Sequence, residues 1–170
     1  MKSLIRKCAL GTVLVAITTA ASAVTFVNVL TGGTSGVYYP LGVTLSQLYG
    51  EMIPDSKVQV QATKASAENL NLLQAGRGEI GFSLADSVSD AWKGKADAGF
   101  PKPLDKLRVI ASVYPNYIQI VALADANVKS LADLKGKRIS VGAPRSGTEI
   151  NARAILKAAG LSYEDFSKVE

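Results

Sequence analysis

Residues 24–40 read VTFVNVLTGGTSGVYYP and place a strand, a loop and the start of a helix in direct succession. The segment 24–30 is apolar and rich in β-branched residues, which is typical of a buried strand. The loop that follows, Gly32-Gly33-Thr34-Ser35-Gly36, carries backbone N–H groups and hydroxyls with little side-chain bulk. Pro40 fits the first turn of the next helix, where a missing N–H costs nothing. A strand-loop-helix unit of this kind can bind a small anion.

A second loop of the same kind, Ser146-Gly147-Thr148, follows a predicted strand over 138–141. It opens a predicted helix over 147–159, which Gly160 is suited to end. Both halves of the chain thus share the plan of strand, Gly/Ser/Thr loop and helix. The sequence therefore predicts a ligand receptor with one half-site on each of two lobes.

The segment between these loops continues the alternation of strands and helices. We predict a strand over 57–62, a helix over 65–75 and a strand over 80–84. Asp86 or Ser87 is expected to cap a further helix through Trp92. This pattern indicates an α/β fold with a mostly parallel sheet covered on both faces. Ligands of such sheets bind at the carboxyl ends of the strands, where Thr34, Ser35 and the segment 83–86 project.

Two further predicted strands, over 107–114 and 117–124, are interpreted as the crossing between the lobes. They follow a predicted loop over 94–105 and precede a single predicted helical turn over 131–136. Pro115-Asn116 separates them.

The expected organisation is two α/β lobes, with the first lobe over 24–114. Residues 115–170 would form the crossing and the start of the second lobe. Ser162-Tyr163-Glu164-Asp165 resembles a capping box that opens another helix just before the sequence stops. We therefore expect a truncated chain with an incomplete second lobe.

Residues 1–23 have the layout of a cleaved signal peptide. Lys2, Arg6 and Lys7 precede the apolar stretch 8–21, and Ala21-Ser22-Ala23 forms an A-x-A cleavage site. A membrane anchor is less favoured, because the apolar stretch is shorter than the ~20 residues that a span needs. The leader predicts export to the periplasm, with the mature chain starting at Val24.

Removal of the leader changes the electrostatic interpretation of the chain. The leader holds three of the nineteen basic residues and none of the fourteen acidic ones, so the net charge falls from +5 to +2. No basic stripe with interleaved aromatic residues is present, and we expect no nucleic-acid partner.

The composition also excludes several kinds of catalysis. The sequence contains no histidine, and its one cysteine, Cys8, lies in the leader. Ser-His and Cys-His pairs and His/Cys zinc sites are therefore excluded. Glu68, Asp86 and Glu149 could still act as catalytic carboxylates, but the same residues can equally cap helices. We expect a binding protein rather than an enzyme, with no cofactor and no metal.

Four ordered motifs carry a family resemblance: 31–42 (TGGTSGVYYPLG), 67–73 (AENLNLL), 78–82 (GEIGF) and 135–149 (KGKRISVGAPRSGTE). Together they resemble the TAXI-type solute receptors of TRAP transporters. The resemblance implies a two-lobed periplasmic binding protein, type II-like, about twice this length and monomeric when complete. It further implies delivery of a small organic anion, glutamate-like or a dicarboxylate, to a sodium-coupled multi-pass permease.

The resemblance also implies a set of ligand-binding positions. The first lobe would contribute Gly33, Thr34, Ser35, Gly36 and Tyr38, with Asn69, Ser83 and Asp86 nearby, and the second lobe Ser146, Gly147 and Thr148. Tyr38 and Tyr39 can wall a small ligand or serve plain packing. Arg145 can pair with a ligand carboxylate or be a solvated loop arginine.

Two alternatives stay open at this point. The same fold serves receptors of ABC importers, and the loop chemistry does not separate the two kinds of transporter. A small exported enzyme that uses Asp86 or Glu149 is the other alternative.

Overall fold

The computed structural model describes residues 24–170. The predicted signal peptide lies outside these residues. Along the described chain the strands and helices are β1 (Thr25–Leu30), α1 (Tyr38–Met52), β2 (Ser56–Gln61), α2 (Ser66–Gln74), β3 (Ile80–Gly81), α3 (Ala85–Lys93), β4 (Arg138–Ile139), α4 (Gly147–Ala158) and β5 (Lys168–Val169). Short 3₁₀ turns occupy Ala96–Ala98, Ala124–Ala126, Leu131–Leu134 and Tyr163–Asp165. No helix in residues 24–170 combines the length and apolarity that a membrane crossing requires.

The first three strands form a parallel sheet in the order β2-β1-β3. Thr25 pairs with Ser56, Leu30 with both Gln61 and Gly81. A second, two-stranded parallel sheet joins β4 to β5. The predicted α/β fold with parallel strands connected by helices is therefore confirmed.

Helix α1 approaches β1 so closely that one glycine is required. A Cβ on Gly42 would lie 2.3 Å from Cγ2 of Thr31 and 3.5 Å from Cγ1 of Val29. Val29 and Leu30 are fully buried, since helices cover both faces of the sheet at the carboxyl end of β1. Tight packing at this end fixes where the loop after β1 begins.

A second part of the core lies between α2, α3 and the predicted loop over 94–105. Ala67, Leu70 and Ala91 pack with Phe100 and Leu104, and Phe100 is fully buried. Gly94 ends α3 in the left-handed region, with φ of 69°. This segment is irregular, as predicted, but its apolar residues are part of the core.

Helix α1 begins at Tyr38, directly after Val37, so Pro40 lies in its first turn as predicted. The start of α3 differs from its prediction. Helix α3 begins after Leu84, whose side chain makes no capping hydrogen bond, so the predicted cap at Asp86 or Ser87 is wrong. Both residues lie inside the first turn, where the Asp86 carboxylate accepts a hydrogen bond from the Ser87 amide at 2.6 Å.

The predicted strands over 107–114 and 117–124 are not strands in this structure. Their β-branched pattern favours extended backbone, but a strand also needs a partner. Within residues 24–170 no backbone hydrogen bond joins the segment 109–122 to another strand. Val109, Ile110 and Val121 are consequently 75%, 77% and 87% exposed.

Two other predicted strands are shorter than expected. Strand β3 covers Ile80–Gly81 of the predicted 80–84, and β4 covers Arg138–Ile139 of the predicted 138–141. The predicted turn at 131–136 is present as a 3₁₀ turn over Leu131–Leu134. Ser162 and Asp165 form the predicted reciprocal capping box, but the helix expected after it is wrong, because the box opens only the 3₁₀ turn Tyr163–Asp165 and the chain then enters β5.

Candidate functional site

Loops from both halves of the chain converge at the carboxyl ends of the strands. Because β1, β2 and β3 are parallel, the loops over 31–37, 62–65 and 82–84 leave the same edge of the sheet. A Cβ on Gly32 would lie 3.4 Å from Cβ of Ala65, so the first two loops touch. The loop over 142–146 joins them through Gly147, the first residue of α4. The candidate site is this group of four loops.

The contact between α4 and the first half of the chain is close. A Cβ on Gly147 would lie 2.5 Å from Oγ of Ser66 and 2.5 Å from Cδ1 of Leu84. Ser66 is the first residue of α2, and its Oγ accepts a hydrogen bond from the Leu84 amide at 3.2 Å. The N-termini of α2, α3 and α4 thus meet at one point. Unpaired N–H groups and the positive ends of the helix dipoles are concentrated there.

The predicted residues of the first loop form an exposed turn. The Gly36 amide donates to the Gly33 carbonyl at 2.8 Å, which closes the turn around Thr34 and Ser35. All four residues are exposed. In the part of the chain that the structure describes, the hydroxyls of Thr34 and Ser35 have no hydrogen-bond partner, so both are free for a ligand.

Asn69 is fully buried and holds the strand ends together. Its Nδ2 donates to the carbonyl oxygens of Thr31 at 2.6 Å and of Phe82 at 2.8 Å. Its Oδ1 lies 2.6 Å from Oγ1 of Thr63. In this geometry Asn69 positions three loops, and its side chain is not free for the ligand contact that the resemblance implies.

Tyr38 lies in an aromatic cluster at the edge of the loops. Its ring stacks on Phe82 with 5.3 Å between centroids and is tilted against Tyr114 at 6.5 Å. Burial raises the pKa of the Tyr38 phenol, as do nearby Tyr114 and Asp86, whereas a hydrogen bond with Asn116 lowers it. Tyr38 therefore links the first loop to the segment around residue 115.

Ser83 and Asp86 lie on either side of the start of α3. Ser83 Oγ donates to the Leu84 carbonyl at 3.1 Å, and the side chain is partly buried. Asp86 is exposed, with its carboxylate engaged by the Ser87 amide. Both are close to the converging loops, but Asp86 would repel an anion.

The loop over 142–146 and the start of α4 contain the remaining predicted residues, which are Arg145, Ser146, Gly147 and Thr148. Ser146 is 7% exposed, and its Oγ accepts from the Glu149 amide at 3.1 Å, which caps α4. Gly147 is buried, whereas Arg145 and Thr148 are exposed. Ser146 is thus a capping residue in this structure, and Thr148 presents the free hydroxyl.

Two non-glycine residues with unfavourable backbone angles precede the converging helices. Ala65, before α2, has φ of 66° and ψ of −169°, and Arg145, before Ser146, has φ of 65°. Such conformations cost about 1–3 kcal/mol each and cluster at ligand-binding sites. Their position supports a functional role for these two loops.

Glu149 is buried in a polar cluster rather than available for catalysis. Its Oε1 accepts from Arg153 Nη2 at 2.5 Å and from the Tyr163 hydroxyl at 2.8 Å. Burial acts to raise the pKa of its carboxyl, but the hydrogen bonds from Arg153 and Tyr163 outweigh it and hold that pKa below the ordinary value. The carboxylate is therefore charged, and its Oε1 is engaged by Arg153 and Tyr163.

A cavity of about 610 Å³ adjoins the loops through Leu84 and Thr148. Its other walls come from the segment 116–123, from β4 and from α4, and include Ile118, Ile120 and Leu156. These walls are mixed, because Asn116, Lys137, Arg138 and Asn151 line the cavity together with the apolar side chains. Polar groups suited to an anion therefore lie both at the loops and within the cavity.

No cluster of three or more Asp, Glu, His or Cys side chains in residues 24–170 is arranged to hold a metal ion. Sequence reasoning missed Thr63 and Ser66, which connect the loops, and Tyr114, which packs against Tyr38. Thr63 and Ser66 come shortly after β2, just as the hydroxyl residues of the first loop come shortly after β1. Hydroxyl residues behind a second strand could therefore have identified them from the sequence.

Two comparisons with known proteins show what this chain is similar to. The sequence profile of the NMT1-like family matches residues 29–170. Among solved structures, the periplasmic aliphatic sulphonate binding protein of Escherichia coli is similar to this chain, with 19% identity and a TM-score of 0.44. The match covers 85% of this chain and 44% of that protein, so the chain spans less than half the length of the relative.

Proposed function

Because this chain belongs to the NMT1-like family, a family of periplasmic binding protein-like chains, we propose that it is an exported solute receptor. It binds a small organic anion, glutamate-like or a dicarboxylate, at the four converging loops. The ligand bridges two lobes and stabilises a closed arrangement of them. The protein delivers this ligand to a membrane permease and catalyses no reaction.

The contact between Gly147 and Ser66 is the observation that carries this proposal. It brings the N-terminus of α4 against those of α2 and α3, although α4 lies in the other half of the chain. Exposed hydroxyls of Thr34, Ser35 and Thr148 surround this point. An anion there would receive hydrogen bonds from both halves, in a positive local potential.

The aromatic cluster supports a small organic ligand over an inorganic ion. Tyr38 presents a partly buried ring beside the first loop, where it can pack against carbon atoms of a ligand. Arg145 is exposed at the opposite loop and can pair with a second carboxylate. A ligand with a carbon chain and two acidic groups fits both features.

The four ordered motifs favour a TRAP-type sodium-coupled permease as the partner. The alternative is an ABC importer, because both systems use receptors of this fold. The proposed periplasmic location rests on the leader-like residues 1–23. A neighbouring gene for a multi-pass permease supports the TRAP assignment, whereas a neighbouring ATPase gene supports the alternative.

Native mass spectrometry of the protein purified from the periplasm tests the proposed ligand class. We expect an adduct with the mass of a small carboxylic acid, released unchanged when the protein unfolds. Thr34→Ala should reduce the occupied fraction, while Thr44→Ala, which removes an exposed hydroxyl from α1, should not. If L-glutamate added to the protein is released as a different compound, the protein is catalytic and the receptor function is contradicted.

A further inference from the structure

Glu149, Arg153 and Tyr163 form a polar cluster, the Glu149 cluster, next to the loop over 142–146. The net charge of this cluster can be changed by substitution. Glu149 is 4% exposed and belongs to the first turn of α4. Its amide donates to Ser146 Oγ, so the residue is joined to the loop through its backbone as well. A buried negative charge therefore lies within one helical turn of Ser146, Gly147 and Thr148.

Arg153 is placed to cancel that charge. Its Nε and Nη2 both reach Oε1 of Glu149, at 3.2 and 2.5 Å. The guanidinium also lies over the Tyr163 ring at 5.6 Å, and the Tyr163 hydroxyl donates to the same carboxylate oxygen. Four contacts thus fix Arg153 and Glu149 in one arrangement.

The charge balance matters because an uncompensated carboxylate would oppose an anion at the loop. A carboxylate in the first turn is favourable for the helix, but it competes with a ligand for the same positive end of the dipole. Buried charges are weakly screened, so the repulsion would extend over the few ångströms to the loop.

We infer that Arg153 is a positioning residue that neutralises Glu149 and so lets the N-terminus of α4 accept an anionic ligand. Tyr163 holds the Glu149 carboxylate and the Arg153 guanidinium in position relative to each other. This inference rests on the proposed function for its ligand, and it adds an electrostatic determinant that does not touch the ligand.

The charge mechanism predicts an order of affinities that a packing role would not produce. Calorimetry with L-glutamate should show binding about ten-fold weaker in Arg153→Met, a typical size for coupling between two sites. Arg153→Lys keeps the positive charge beside Glu149 but loses one of the two hydrogen bonds, so it should weaken binding less than Arg153→Met does. Glu149→Gln combined with Arg153→Met removes both charges and should restore most of the affinity. Lys157→Met, one turn further along α4, is the matched control and should have no effect.

A second probe separates failure of the inference from failure of the proposed ligand. Sulfate is titrated into each variant, and amide chemical shifts of Gly147 and Thr148 are followed by NMR. If L-glutamate does not bind but the sulfate response follows the same order, the inference stands and the proposed ligand class fails. If the double variant is as weak as Arg153→Met toward both probes, or if Lys157→Met weakens binding equally, the inference is overturned. It is also overturned if neither probe affects wild-type Gly147 and Thr148.

Discussion

Ser66 and Gly147 are in direct contact, and each opens a helix that follows a strand-end loop. The space between them does not admit a side chain, because a Cβ on Gly147 would lie 2.5 Å from the Ser66 Oγ. This contact joins the two halves of the chain at the candidate site.

Gly147→Ala should therefore destabilise the protein. The added methyl group meets both Ser66 and Leu84, and overpacking of this kind costs about 1–3 kcal/mol in the free energy of unfolding. Gly50→Ala is the matched control, since Gly50 lies in α1 with no atom within 4 Å of a new Cβ. That change should stabilise the helix by about 0.5–1 kcal/mol. Urea unfolding of both variants checks the pair, and equal stabilities would disprove the close contact.

Asn69→Ala should be among the most destabilising polar substitutions in residues 24–114. It removes the amide donor to the buried carbonyls of Thr31 and Phe82, and unsatisfied buried groups cost about 1–3 kcal/mol each. Asn71→Ala, on an exposed part of the same helix, should change stability by no more than about 0.5 kcal/mol. Thermal unfolding distinguishes them. A small effect at Asn69 would mean that water replaces the lost donor.

Thr34→Ala and Thr148→Ala should weaken ligand binding without weakening the fold. Each removes one exposed hydroxyl, and loss of a charge-assisted hydrogen bond costs about 1–3 kcal/mol of binding free energy. Calorimetry with L-glutamate and 2-oxoglutarate measures the loss, and the midpoint of thermal unfolding without ligand serves as the control. Unchanged affinity in both variants would remove these two loops from the site.

Acidification should expose the contribution of Glu149 to stability. Its carboxyl pKa is lower in the folded protein than in the unfolded chain, where a glutamate has a pKa of about 4.3. The stabilisation is therefore fully present above the unfolded pKa and is lost as the pH falls through the folded pKa. Glu149→Gln should flatten this part of the pH dependence in urea unfolding as the pH falls below about 5. If Glu149→Gln keeps the wild-type pH dependence of the free energy of unfolding, other carboxyl groups cause the acid sensitivity.

The first strand and its loop could be predicted because local chemistry is sufficient there. A β-branched run, a glycine turn and a helix-compatible proline each specify backbone conformation within a few residues, and the structure has Thr25–Leu30 and Tyr38–Met52 in those places. The segments 107–114 and 117–124 show the limit of such reasoning. Their residues favour extended backbone, but pairing depends on a partner strand that local pattern does not specify.

The candidate site, like the fold, could be predicted from the sequence only in part. Exposed hydroxyls on strand-end loops were predictable from residue type and position, as at Thr34 and Thr148. The burial of Asn69 and the contact of Ser66 with Gly147 were not, because both depend on how distant segments pack. An asparagine in a helix has the same local pattern whether it faces a ligand or ties strand ends together.

Hydrogen exchange with and without L-glutamate tests the central claim that one anion is held by loops from both halves of the chain. Peptides that cover residues 31–38 and 143–150 should both become protected at saturating ligand, and Thr34→Ala and Thr148→Ala should each weaken protection in both peptides. Protection of one peptide alone, or loss of protection confined to the loop that carries the substitution, would contradict the account.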